Sequence, residues 1–109
     1  MGALFVSNAF SLGMLSSDAT IRVTEVDTLK AKEVLSSGNF TSAIGHLATA
    51  DVVSNLLNVK VEANRVPIKL QKGDTILIFQ LLTRLEEGKV LNREELEKIQ
   101  YKFFLVEIL

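Results

Sequence analysis

Apolar and polar positions follow different rhythms along this chain, and each rhythm predicts an element. Ala3-Leu4-Phe5-Val6-Ser7-Asn8 is a short apolar run ending in turn formers, which predicts a buried strand that delivers Asn8 to its C-terminal edge. Thr20 to Val26 alternates, with Ile21, Val23 and Glu25 on one face, the pattern of a half-buried strand. Asp27 is a predicted N-cap for a helix through about Ser36, with Ala31, Val34 and Leu35 inward and Gly38 as the stop signal. A stronger helix is predicted from Thr41 or Ser42 to about Leu57. Its stripe is Ile44, Ala48, Val52 and Leu56, flanked by Leu47, Val53 and Leu57. On that reading Ser42, His46 and Thr49 share a separate polar stripe.

Val59 to Leu70 reads as a hairpin or two short strands interrupted at Asn64-Arg65, with Pro67 confining its strand to an edge or a start. Lys72-Gly73-Asp74 is a turn signal. Thr75 to Arg84 is the most apolar run, and its β-branched character on both faces predicts a central strand buried on both sides. Gln80, Leu82 and Arg84 fall on one face of it, so an amide inside an apolar strand must find partners or cost roughly 1–3 kcal/mol. Leu85 to Lys89 is a predicted loop, and Asn92 with Glu95 gives a capping-box-like helix start ending near Gln100. Tyr101 to Leu109 closes as a strand. The order β, β, α, α, β, β, β, α, β implies an α/β or α+β fold: residues 1–109 as a single domain, a mixed sheet of about five strands with helices packed on it.

Composition narrows the chemistry. With 109 residues, 48% apolar and 23% charged, the chain has the make-up of one globular domain. Twelve basic residues against thirteen acidic ones give a net charge of −1, which argues against duplex nucleic acid as a partner. No cysteine is present, so thiolate metal sites, thiol nucleophiles and disulfides are excluded. A single histidine and the lack of a Gly-rich phosphate loop leave no zinc site or nucleotide loop to expect, so no metal and no cofactor are expected. No apolar run is long enough to span a bilayer, and the expectation is a cytoplasmic protein with no membrane partner.

Three groups carry candidate chemistry: Asn8-Ala9-Phe10-Ser11 after the first strand, Ile44-Gly45-His46 at a helix start, and Arg84-Leu85-Glu86-Glu87-Gly88 after the central strand. Gathered at one end of a sheet, they form a phosphodiester-cleaving set. Arginine stabilises charge developing on phosphate oxygens, imidazolium protonates a leaving alkoxide, and a glutamate orients the imidazole. A helix start also offers unpaired N–H groups to an anion. One imidazole per chain excludes a histidine pair, so the general base is a substrate group, water or a residue of a second chain. The duller readings are an Asx or Ser turn at Asn8-Ser11, a surface ion pair at Arg84 and a structural histidine.

In order and spacing, Asn8-Ala9-Phe10-Ser11, Ser42-Ala43-Ile44-Gly45-His46, Asn64-Arg65-Val66, Gln80 and Arg84-Leu85-Glu86-Glu87-Gly88 resemble the small ring nucleases with which viruses of archaea and some phages or prophages inhibit type III CRISPR immunity. The resemblance implies metal-independent cleavage of cyclic tetra-adenylate to linear products with 2′,3′-cyclic phosphate ends. It implies His46 as general acid, Arg84 as phosphate clamp and Glu87 as supporting carboxylate. Asn8, Ser11, Thr49, Arg65 and Gln80 fall where the family contacts the ring. It further implies a two-fold homodimer, the ring spanning the subunit interface. The alternative is a non-catalytic module that binds a cyclic oligonucleotide or a host regulator.

Overall fold

The computed structural model describes residues 2–82 and 93–109. Its strands are β1 (Leu4–Ser7), β2 (Ile21–Val26), β3 (Thr41–Ser42), β4 (Thr75–Leu81) and β5 (Tyr101–Ile108). The α-helices are α1 (Thr28–Leu35), α2 (Leu47–Leu57) and α3 (Arg93–Lys98), and a 3-10 turn spans Leu12–Met14. The strands form one sheet in the order β2-β5-β4-β1-β3. β1 runs parallel to both β3 and β4, and β5 runs antiparallel to β4 and β2. Four strands therefore point one way and only β5 opposes them, which makes this the mixed five-stranded α+β sheet that the pattern predicts.

β4 is central because its residues suit both faces. Leu77 and Phe79 join Val6 and Phe103 beneath α1 and α2, where Ala31, Leu35, Ala50, Val53 and Leu57 are buried. Ile76 and Ile78 point the other way, to a second core with Val106 and Ile108. That opposite face is covered by irregular chain: Ile68 and Leu70 are buried there, with Phe10, Met14 and Leu15 packed against them. An isolated parallel bridge from Leu15 to Leu70 ties the two covering segments together. The helical face carries a triad of rings, Phe79, Tyr101 and Phe103, with centroids 5.3–5.7 Å apart in tilted and edge-on pairs.

Local signals set the boundaries. Asp27 caps α1 by accepting a 2.7 Å bond from the Lys30 N–H. Gly38 beyond its end has φ +76°, and Gly73 in the turn before β4 has φ +94°, conformations that suit a residue without Cβ. Asn58 ends α2 in the left-handed region.

Three expectations are corrected. Thr41–Ser42 is strand and not helix, because its backbone continues the ladder on β1: the Ala43 N–H donates to Val6 O at 2.8 Å. α2 therefore starts only at Leu47, and Ser42, His46 and Thr49 share no helical stripe. Within α2 the buried residues are Ala50, Val52, Val53 and Leu57, while Leu47 is 67% exposed. Second, residues 59–70 form no hairpin. They run as a strap beside edge strand β3, held by side chains: Ser42 Oγ donates to Glu62 O at 2.6 Å, Asn64 Nδ2 donates to Ser42 O at 2.7 Å, and the Asn64 N–H donates to Ile44 O at 2.8 Å. Third, Gln80 is exposed, since β4 outruns its covering segments at this end. Among the described residues its amide makes only a long 3.5 Å contact to Leu81 O, and its exposure removes the buried polar cost.

Candidate functional site

The parallel strands set the geometry of the site. Because β1, β3 and β4 run the same way, their C-terminal ends lie at one edge of the sheet, the end where open α/β sheets bind ligands. Asn8 follows β1 directly and is half-buried. Ser11, exposed, precedes the 3-10 turn, and a Cβ on Gly13 would lie 3.8 Å from its hydroxyl. Gln80 is the penultimate residue of β4.

His46 reaches this edge from β3. It is the N-cap residue of α2, with φ −117° and ψ 127°, and its side chain makes no capping hydrogen bond. The first intrahelical bond runs from the Ala50 N–H to His46 O at 3.0 Å, so the N–H groups of residues 47–49 have no partner within the helix. The imidazole is exposed beside these donors, and Thr49 stands half-buried in the same turn. The site thus combines a titratable ring with the positive end of an eleven-residue helix.

Arg65 comes from the strap. Its Cγ lies 3.4 Å, and its Nε 3.7 Å, from the point a Cβ on Gly45 would occupy. The guanidinium stem therefore rests on the backbone one residue before His46. No hydrogen bond or ion pair engages it among the described residues, which leaves its donors available. Asn64, one residue earlier, fixes this position through its two bonds to β3. Sequence reasoning missed the part Ser42 and Asn64 play in aiming Arg65. Their signal was present, a Ser and an Asn beside the motif, but the bonding depends on a strand that periodicity did not reveal.

Asn8 and His46 thus follow, and Gln80 nearly closes, strands that end at this edge of the sheet; Arg65 rests on the residue before His46, and Ser11 and Thr49 come three residues after Asn8 and His46 in the chain. Arg84, Glu86 and Glu87 lie outside the described residues. Among the described residues, no group of three or more His, Asp or Glu stands where it could hold a metal ion. No helix among them is long and apolar enough to cross a membrane.

The rim of this end is apolar. Leu12, Leu47, Val66 and Leu82, each adjoining one of the site segments, are 75%, 67%, 42% and 54% exposed.

Comparison with known proteins agrees with this architecture. The chain is 40% identical over 107 residues to protein 26 of Sulfolobus islandicus filamentous virus (isolate Iceland/Hveragerdi), covering 96% of this chain and 91% of that one. It is 32% identical over 96 residues to the ORF116 protein of Acidianus filamentous virus 1, covering 87% and 83%. Among solved structures, B116 of Sulfolobus turreted icosahedral virus superposes with a TM-score of 0.84 at 36% identity, covering 97% of this chain and 99% of that one. The STIV B116-like family model matches residues 4–103. With the family model, the viral relatives and the solved structure in agreement, this chain belongs to the STIV B116-like family.

Proposed function

We propose that this protein is a metal-independent ring nuclease that opens cyclic tetra-adenylate, and so acts against type III CRISPR signalling. The observation that carries the reading is the placement of His46: an exposed imidazole at the open start of α2 that makes no capping bond to the helix, one residue from the backbone on which Arg65 rests. A phosphodiester at this point would receive N–H donors from the helix start and a cation from Arg65. The ribose 2′-hydroxyl gives its proton to water and its oxygen attacks the adjacent 3′-phosphorus as the P–O5′ bond breaks, while the His46 imidazolium gives its proton to the departing 5′-oxygen. The products are a linear chain with a 2′,3′-cyclic phosphate at one end and a 5′-hydroxyl at the other. Neither metal nor protein nucleophile enters this scheme.

Asn8, Ser11, Thr49 and Gln80 supply polar groups around the same strand ends and would hold the ring. Arg84 as clamp and Glu87 as supporting carboxylate follow from the resemblance in sequence alone. The exposed aliphatic rim of Leu12, Leu47, Val66 and Leu82 favours a two-fold homodimer closing over a symmetric ligand.

Chromatography of cyclic tetra-adenylate after incubation in excess EDTA tests the reading. Wild type should yield linear products with cyclic-phosphate ends, and His46→Ala should bind the ring without cutting it. Binding without cleavage by both proteins would make this a sequestering module. Absence of binding would remove the ring as its ligand.

A further inference from the structure

A second patch lies on the same end of the sheet, beyond the residues assigned above. On the face away from the helices, β5 places Phe104 directly opposite Glu25 of β2 and Ile78 of β4, and Lys102 directly opposite Gln80. Directly opposed side chains stand about 4.5–5.5 Å apart at Cβ, with diagonal neighbours about 7–8 Å apart. Phe104 packs on the core of that face yet is only half-buried, because edge strand β2 offers little cover: Val23 is 55% exposed and Glu25 is exposed as well.

Polar groups border this ring on its solvent side. Lys102 Nζ lies 3.2 Å from Glu25 Oε1, with both side chains about half exposed at 51% and 55%. Surface pairs of this kind contribute little stability, about 0–1 kcal/mol, so they can exchange partners. Lys102 retains further N–H donors, and Glu25 a second carboxylate oxygen. Gln80 has one long donor contact to Leu81 O, leaving its carbonyl oxygen as an acceptor. Past Glu25 and Lys102 the strand ends open into a shallow cleft of about 390 Å³ toward Asp27, Thr28 and the helix-facing rings of Tyr101 and Phe103, with Phe104 on the other side of the strand.

We propose that Phe104, Glu25 and Lys102, beside Gln80, form a nucleobase subsite for adenine. This rests on the ring nuclease reading and names how the ring is told apart from others. The aromatic face supplies stacking, which suits any base. The edge supplies choice: adenine presents an amino donor next to ring-nitrogen acceptors, matched by the Glu25 or Gln80 oxygens and by the Lys102 or Gln80 N–H groups. Hypoxanthine, with an oxygen and an N–H in those places, reverses the pattern. The mixed charge of the patch suits a neutral base better than a phosphate, which Glu25 and Asp27 would repel.

Binding should be measured calorimetrically in the His46→Ala background, to prevent turnover, with cyclic tetra-adenylate and cyclic tetra-inosinate. Phe104→Leu, which retains packing, and Lys102→Ala should each weaken cyclic tetra-adenylate about tenfold, in line with base stacking and edge contacts of this type. Glu25→Gln should narrow the preference for adenine over hypoxanthine. The amide signals of Lys102 and Phe104 should also shift when adenosine monophosphate is titrated into the wild-type protein. Tight ring binding unaffected by all three substitutions would overturn the subsite and leave the nuclease reading standing. Shifts with the monophosphate but no ring binding would retain the subsite and remove the nuclease reading. Neither binding nor shifts would overturn both.

Discussion

Arg65 lies across Gly45, its Cγ 3.4 Å from where a Cβ would stand. The contact is ordinary van der Waals distance for a methyl group, and too short for a longer side chain. It makes Gly45 the floor under Arg65, one residue before His46.

Gly45→Ala should therefore be tolerated, while Gly45→Leu should displace the guanidinium and resemble Arg65→Ala in ligand binding. Loss of a charged hydrogen bond is worth about 1.5–3 kcal/mol, so cyclic tetra-adenylate should bind Arg65→Ala and Gly45→Leu roughly 10- to 100-fold more weakly than wild type. Calorimetric titration checks this. Equal affinity for Gly45→Leu and wild type would show that Arg65 does not contact the ring from this position.

His46 stands at an N-cap position without capping the helix. Aspartate, serine and asparagine are the side chains that satisfy the N–H groups there, and such caps contribute about 0.5–2 kcal/mol. His46→Asp should accordingly raise the thermal midpoint while ring cleavage disappears. A variant more stable and less active than wild type would mark the histidine as kept for chemistry at the cost of the helix start. Unchanged stability on melting would contradict the capping argument.

Ser42 is the hinge pin of the strap. Its hydroxyl donates to Glu62 O at 2.6 Å and accepts from the Ile44 N–H at 3.3 Å. Ser42→Ala leaves both backbone groups short of a partner, a loss of about 1–3 kcal/mol. The melting temperature should fall by several degrees, since 1 kcal/mol corresponds to roughly 4–8 °C in a domain of this size. Ring affinity should fall with it, because Asn64 and Arg65 follow the same strap. A lowered melting temperature with full affinity would separate the strap from the site.

Leu47 and Leu12 test the assembly. Placing a charge on an apolar interface core is strongly unfavourable. Leu47→Glu or Leu12→Glu should convert a dimer to a monomer in sedimentation velocity and abolish ring cleavage with His46 intact. A wild-type protein that sediments as a monomer at micromolar concentration would remove the homodimer from the proposal.

The sequence disclosed the elements whose signals are local. β1, β2, β4, β5, α1 with its Asp27 cap and the Lys72-Gly73-Asp74 turn all follow from periodicity, capping and turn chemistry. β3 was hidden because a two-residue strand has no period, and its identity is set by pairing with β1 far away in the chain. The same pairing moved the start of α2 and placed His46 at a cap. Gln80 was misjudged because composition reveals an apolar strand but not how far its cover extends. Proximity of Arg65 to Gly45 was likewise invisible, since the strap is held by Ser42 and Asn64 and not by a ladder.

The first strand of the chain is also an interior strand of the sheet, gripped between β3 and β4. β4 is itself sealed by β5, which comes well after it in the chain, so the nascent protein must hold β1 and its apolar side chains in waiting until those later strands are made. Non-local pairing of this type slows folding and lengthens exposure to aggregation. A truncated translation product lacking β5 would leave β4 with an open edge and β2 unpaired. The sheet should then close all at once when β5 is made, and synthesis that stalls short of that strand would yield an aggregation liability and not a smaller stable sheet.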